Sequence, residues 1–342
     1  PEFKLMKIVL VLLITPPYHH TAHANEHPRL FAVQNWIKTS GPPLDLTWKS
    51  WRLVEVNSLG SVTQLLGWHG GWLPNNGNNG RLIGAQYDRM AQSRQLLVVR
   101  IDGERMGKTF NVAKGAAGSA VPIAMPGLTE ETQGFWTSIA ADNVQPANTI
   151  FSLYDGLDIG SPQHFATINA SRVIGSSHLA HNRRPGGATA ATSLVYFSLR
   201  PFTGTQRLYK MRRDNAHVEE LPWSLLSKDA INRTVGALFV GSTDDELLVL
   251  GCHEAMQQQC VLYSLDTVQK TSQAVLNLPS LDPGPASGYC KSYHELSNTL
   301  YLGCSKVHAI DLTNKKLKSI TTISFGMPLN GGTYLCGGVV VI

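Results

Sequence analysis

The chain has 342 residues, with 29 Lys and Arg against 24 Asp and Glu, a formal net charge of +5. So small an excess excludes a dedicated nucleic-acid binder, which would show clustered Lys/Arg with interleaved aromatics. Only 15% of residues are charged while Gly, Ser, Thr and Asn abound, a composition that suits many strands joined by tight turns better than helices.

In chain order, Pro1 to Leu5 read as a cloning scar before an initiator, Met6. Lys7, the apolar run Ile8 to Ile14 and the small-x-small site Ala22-His23-Ala24 follow in the order a signal peptidase needs. The run is far short of the ~20 apolar residues that cross a bilayer, and no later stretch is long enough. The expectation is therefore a signal peptide over 6–24, no membrane span and a secreted product starting at Asn25. The part from Asn25 keeps 27 basic against 23 acidic residues.

A strand–turn–strand phrase then recurs. It reads RLVEVNSLGSVTQLL from Arg52, LVVRIDGERMGKTFNV from Leu97 and IFSLYDGLDIGSPQHFATI from Ile150. It returns as RLYKMRRDNAHVEEL from Arg207, VLYSLDTVQKTSQAVL from Val261 and KVHAIDLTNKKLKSI from Lys306. Period-2 alternation sorts side chains onto the two faces of a sheet, and the Asp, Asn and Gly between runs supply turn chemistry. Further apolar runs precede several phrases: GALFVGS from Gly236, ELLVLGC from Glu246, SGYCKSY from Ser287 and NTLYLGC from Asn298. These predict inner strands.

A near-constant period of roughly fifty residues is what four-stranded propeller blades produce. Over nearly the whole stretch from Asn25, the sequence resembles the six-bladed β-propellers in architecture, without the residues of a particular family. That resemblance implies an all-β, single-domain fold over 25–342. RLFAVQNW, from Arg29, has too few strands for a blade of its own, and GGTYLCGGVVVI, from Gly331, has no hairpin after it. One blade shared by both would complete them. A two-sheet sandwich or a pair of smaller β domains is the alternative. LPWSLLSKDAI, around Ser224, predicts a short helical excursion.

Five cysteines in an exported chain imply disulfides plus an odd thiol. Cys252 and Cys260, and Cys290 and Cys304, each flank a turn-like stretch and suit pairing across hairpins. That leaves Cys336 for an intermolecular bond, though four cysteines alone allow three connectivities. Asn169 and Asn232 head glycosylation sequons.

Three sets of residues suggest chemistry. His178 and His181, with Arg183 and Arg184, lie in SSHLAHNRRPGG, whose Pro and Gly predict a loop. Guanidinium groups there suit an anion, two histidines alone make an incomplete metal site, and the plain alternative is a solvated loop. Trp68, His69 and Trp72 sit among glycines before an Asn-rich stretch, suiting a sugar ring stacked on an aromatic face; alternatively the tryptophans plug the core. Asp102, Asp158, Asp214, Asp266 and Asp311 could hold calcium around a channel, but hairpin tips explain them as turn residues. The motifs of serine hydrolases, zincins, nucleotide-binding loops and Cys-x-x-Cys redox centres are missing.

The reading leans away from an enzyme and implies no cofactor or metal. It points to an extracellular binding protein that recognises a glycan or a partner protein through one propeller face. A secreted hydrolase or lactonase-like enzyme and a scaffold subunit of a surface complex are the alternatives.

Overall fold

A strand that alternates apolar and polar residues can bury one face, whereas a continuous apolar run such as Leu247 to Cys252 can bury two. In the computed structural model such runs form the middles of six four-stranded antiparallel sheets. The structure describes residues 27–342 except 40–45, 75–78, 89–92, 102–104, 133–134, 146, 182–193, 202–205, 222–232, 242, 244, 254–259, 280, 282–289, 295 and 328–331.

The first sheet is composite, with β1 (Leu30–Thr39), β2 (Leu46–Val56) and β3 (Val62–Pro74) added to β24 (Thr333–Val341). The second holds β4 (Gly80–Asp88), β5 (Ser93–Ile101), β6 (Met106–Asn111) and β7 (Ala116–Pro122). In the third are β8 (Leu128–Thr132), β9 (Phe135–Val144), β10 (Asn148–Gly156) and β11 (Gln163–Ser171). The fourth comprises β12 (Val173–His181), β13 (Leu194–Pro201), β14 (Arg207–Arg212) and β15 (Val218–Leu221). The fifth runs β16 (Arg233–Val240), β17 (Glu246–His253), β18 (Cys260–Asp266), β19 (Thr271–Leu278). The sixth runs β20 (Lys291–His294), β21 (Thr299–Leu302), β22 (Lys306–Asp311), β23 (Lys316–Thr322). Strands β24, β4, β8, β12, β16 and β20 are innermost, and the sheets form the ring of a six-bladed β-propeller.

Each of the six interfaces between neighbouring sheets has its own apolar cluster. Strand β17 shows how one strand serves two. Leu247 and Val249 join the cluster shared with the fourth sheet, while Leu248 and Leu250 join the one shared with the sixth. Strand β13 alternates likewise: Leu194 and Tyr196 face the fifth sheet, and Val195 and Phe197 the third. Trp136, fully buried, fills the interface between second and third sheets beside Ile123, Met125 and Ile159. Polar links cross interfaces too. Arg213 pairs with Asp155 of the third sheet, and Lys315 with Glu246 of the fifth at 3.1 Å.

The phrase starting at Leu97 is out of step with the others. It spans β5 and β6, the second and third strands of its sheet, and the outer hairpin there is β6–β7. The other five phrases are outer hairpins. Their turns confirm the ordinary role of the acidic residues. Asp266 Oδ1 accepts from the amides of Val268 and Gln269, Asp311 Oδ1 from Asn314, and Asp158 Oδ1 from Gly160. Asp214 is held by Arg212 at 2.9 Å. Asp102 and the expected helix after Leu221 lie outside the described residues, as do the expected signal peptide and Asn232. Among the described residues there is no helix, and so none able to cross a membrane. At the tip of β2–β3, Gly60 adopts φ 82°, and a Cβ there would lie 1.8 Å from the Thr322 carbonyl oxygen. The tip therefore docks on the sixth sheet only because this residue has no side chain.

The cysteine pairing differs from expectation. Cys252 faces Cys260 in the β17–β18 register, and the two are bonded. Cys290 and Cys304 are not bonded. Lys291 faces Leu302, so Cys290 falls opposite Gly303, whose amide donates to its carbonyl at 2.9 Å. Cys304 is thus one residue past the pairing position, and it bonds Cys336 on β24 instead, tying the sixth sheet to the first. Cys290 remains a buried thiol. Cys336 is therefore not available for an intermolecular disulfide.

Two outcomes follow from this packing. Leu247→Val and Leu248→Val, although adjacent, should each lower unfolding free energy by about 1 kcal/mol. In urea titrations the double variant should lose their sum to within about 0.5 kcal/mol, since they share no partners. Cys336→Ser should cost roughly 2–4 kcal/mol and Cys290→Ser much less; non-reducing peptide mapping should recover the 304–336 pair.

Candidate functional site

The ring places the innermost strand of every sheet around a central channel, and side chains from opposite strands meet there. Lys291, on β20, is 8% exposed and Glu130, on β8, is 22% exposed. The third and sixth sheets lie opposite one another in a six-membered ring, and their ion pair, at 2.7 Å, crosses the channel. Lys291 Nζ also donates to the backbone carbonyls of Leu179 on β12, at 2.8 Å, and Leu238 on β16, at 3.0 Å. One ammonium group thereby spends its three donors on three other inner strands, with the Phe239 ring 5.1 Å away. Burial pushes the Glu130 carboxyl above its ordinary range, with Lys291 pulling it back.

His178 and His181 are in this neighbourhood and not in a loop. Both are buried on β12, because the apolar alternation of Leu179 and Ala180 carries the strand through to His181. The His181 Nε2 lies 3.1 Å from the backbone carbonyl of Glu130, and the His178 amide donates to Ser198 Oγ. Arg183 and Arg184 lie outside the described residues. Nothing in the local sequence marks Glu130 or Lys291, since each reads as an ordinary strand charge and only ring closure brings them together.

A second group of side chains sits on the composite sheet, which contains Trp36, Trp48, Trp51, Trp68 and Trp72, five of the seven tryptophans. Neighbouring residues on β3 point to opposite faces, which separates Trp68 from His69. His69 packs on buried Trp51, ring centroids 4.9 Å apart. Burial and nearby Lys108 hold its pKa below the ordinary value. Trp68 is 37% exposed and lies near-parallel to Tyr334 of β24 at 6.1 Å. The Arg52 guanidinium stands 5.0 Å from the Trp68 ring centre. Arg52 Nε donates to Gln34 Oε1 at 2.6 Å and its Nη1 to Gln64 Oε1 at 3.1 Å. Trp72 stands opposite Trp48 in the β2–β3 register. The approach of Tyr334 to Trp68 depends on β24 joining β1, whereas Arg52 meets Trp68 within the β2–β3 hairpin.

For a metal, the described residues offer one group: the sulfurs of Cys290, Cys304 and Cys336 lie within 4.8 Å of one another. Two of them are consumed by the disulfide, so they fit a metal only after reduction. Asn169 is exposed on the outermost strand β11.

The channel contacts make a definite energetic claim. Lys291→Met strands a largely buried carboxylate and two carbonyls, and should cost on the order of 3 kcal/mol; Glu130→Gln, which keeps an acceptor, should cost less. Because the folded-state pKa of Glu130 is raised, the folded protein binds its proton more tightly than the unfolded chain does. Stability relative to Glu130→Gln should therefore fall as pH rises from the ordinary value of 4.5 through the folded value. Urea titrations of both proteins between these limits test the sign.

No protein-family model matches this chain, and no curated protein does. Among solved structures it is similar to TolB from Acinetobacter baumannii, at 8% identity and TM-score 0.46, covering 91% of this chain and 66% of that one. A chain of a nidogen/laminin complex is similar at 10% identity and TM-score 0.46, covering 90% and 98%. A putative 6-phosphogluconolactonase from Bacteroides uniformis gives 9% identity and TM-score 0.46, with 91% and 99% covered.

Proposed function

We propose that this is a secreted binding protein that recognises a glycan on the composite sheet, with Trp68 as the platform. The observation that carries this reading is the exposed Trp68 ring, braced by Tyr334 and Arg52 and bordered by the exposed amide side chain of Gln64. A braced ring has little entropy left to lose on binding, and the exposed Gln64 amide beside it both donates to and accepts from sugar hydroxyls. A smaller aromatic-poor surface would have no such preference for a pyranose face. Export is supported by the leader-like segment at 6–24 and by two disulfides, which persist in oxidising compartments.

The channel favours binding over catalysis. Lys291 is held by three acceptors in fixed directions, an arrangement suited to fastening inner strands together and poorly suited to attacking a substrate.

A glycan array probed with the folded protein, followed by calorimetry on the best ligand, tests the reading. Trp68→Ala should weaken binding at least about tenfold, or 1.4 kcal/mol, with the thermal midpoint unchanged. Equal binding by Trp68→Ala would sink the assignment. Silence across the array together with capture of a protein ligand would move recognition to another face.

A further inference from the structure

Basic side chains buried between or within these sheets are matched with carboxylates. Lys291 has Glu130, Arg213 has Asp155, and Lys210, mostly buried, has Asp245 at 3.0 Å. Arg52 departs from that pattern. It is partly buried, yet its hydrogen bonds go to two neutral amide oxygens, of Gln34 and Gln64, and no carboxylate forms an ion pair with it among the described residues. Those two bonds use two of its five N–H donors. Burial lowers the guanidinium pKa, with only the Tyr334 phenol acting in the other direction. An arginine stays charged under these conditions, so a positive charge has been drawn partly out of water without an anion to balance it.

We propose that the glycan taken by the Trp68 platform is acidic, carrying a carboxylate or sulfate that pairs with Arg52. The inference rests on the glycan reading above and adds the charge of the ligand. Three features converge on it. The guanidinium lies over the Trp68 ring, 5.0 Å from its centre, so a substituent of a sugar held at that ring comes within its reach. Gln34 and Gln64 fix its plane through Nε and Nη1, which orients the remaining donors as a fork for two oxygens of one anion. Gln34 itself is buried and its Nε2 donates to the Phe325 carbonyl at 3.2 Å, so the fork is anchored to the segment that leads from β23 toward β24.

Calorimetry on the full chain at about 0.15 M salt tests the proposal with three probes of equal length: an oligogalacturonate, its carboxyl-reduced neutral counterpart and a sulfated galactan oligomer. The wild-type protein should bind at least one acidic probe about tenfold or more tightly than the neutral one. Arg52→Gln should bring the acidic probe down to the affinity that the same variant shows for the neutral one. Arg52→Lys, which retains charge without the fork, should keep part of the preference and serves if Arg52→Gln melts early. The relative strength of the uronate and the sulfate identifies which anion is favoured. Equal affinity for acidic and neutral probes, or a preference that survives Arg52→Gln, overturns the acidic assignment and leaves the glycan reading standing. Neutral and acidic probes that both fail to bind overturn the two together.

Discussion

Double burial of the middle strands is the constraint from which the rest of this architecture follows. A sheet with one apolar face can stop at a single partner, but β13, β17 and β18 carry apolar side chains on both faces and so require a sheet on either side. Six such sheets can satisfy one another only as a closed ring. At about 25 cal/mol per Å² of apolar surface removed from water, leaving one interface open would expose a row of Leu, Val and Phe side chains. The composite sheet is the physical answer: β24 supplies the inner strand, β1 to β3 the outer three, and apolar clusters form on both its faces.

Closure creates a polar problem at the axis. Inner strands converge there, and their side chains cannot all be apolar and also fit. Here one long side chain resolves the crowding. Lys291 reaches across to Glu130 and ties down two backbone carbonyls on the way, linking β8, β12, β16 and β20. The desolvation of such a pair offsets much of its attraction, so its contribution is better understood as specifying how the sheets are placed around the axis than as a large net stabilisation.

The composite sheet differs from the others in length as well as origin. Its outer strands run to 10, 11 and 13 residues, against 4 residues for β15, β20 and β21. The Cys304–Cys336 bond fastens β24 to the sixth sheet, and Gln34, which faces Cys336 in the register, holds Arg52. Support for the Trp68 platform thus runs from the disulfide through the β24–β1 pairing to the guanidinium, which places a surface site on rigid backbone.

How much of this was legible in the sequence depends on how local each feature is. Strand alternation and turn chemistry are short-range, so the repeat, the propeller architecture and the Cys252–Cys260 hairpin could be read from runs such as ELLVLGC and turns such as DTVQK. The phrase from Leu97 falls on β5 and β6 rather than on the outer hairpin β6–β7 because β7, AAGSAVP, is exposed along nearly its whole length and carries no apolar alternation, and alternation alone does not say which strand is innermost. Cys290 and Cys304 flank one turn, which predicts their pairing, whereas a one-residue offset in register, set by cross-strand hydrogen bonds, leaves Cys304 bonded to Cys336. The Pro and Gly after His178 and His181 predict a loop, whereas both histidines are buried on β12. By itself, then, the sequence determined that the chain makes repeated, doubly buried hairpins, since that is a matter of which side chains alternate within a few residues. Only the tertiary structure decided that Lys291 meets Glu130 across the axis and that Tyr334 stacks on Trp68, because both encounters depend on ring closure between strands far apart in the chain.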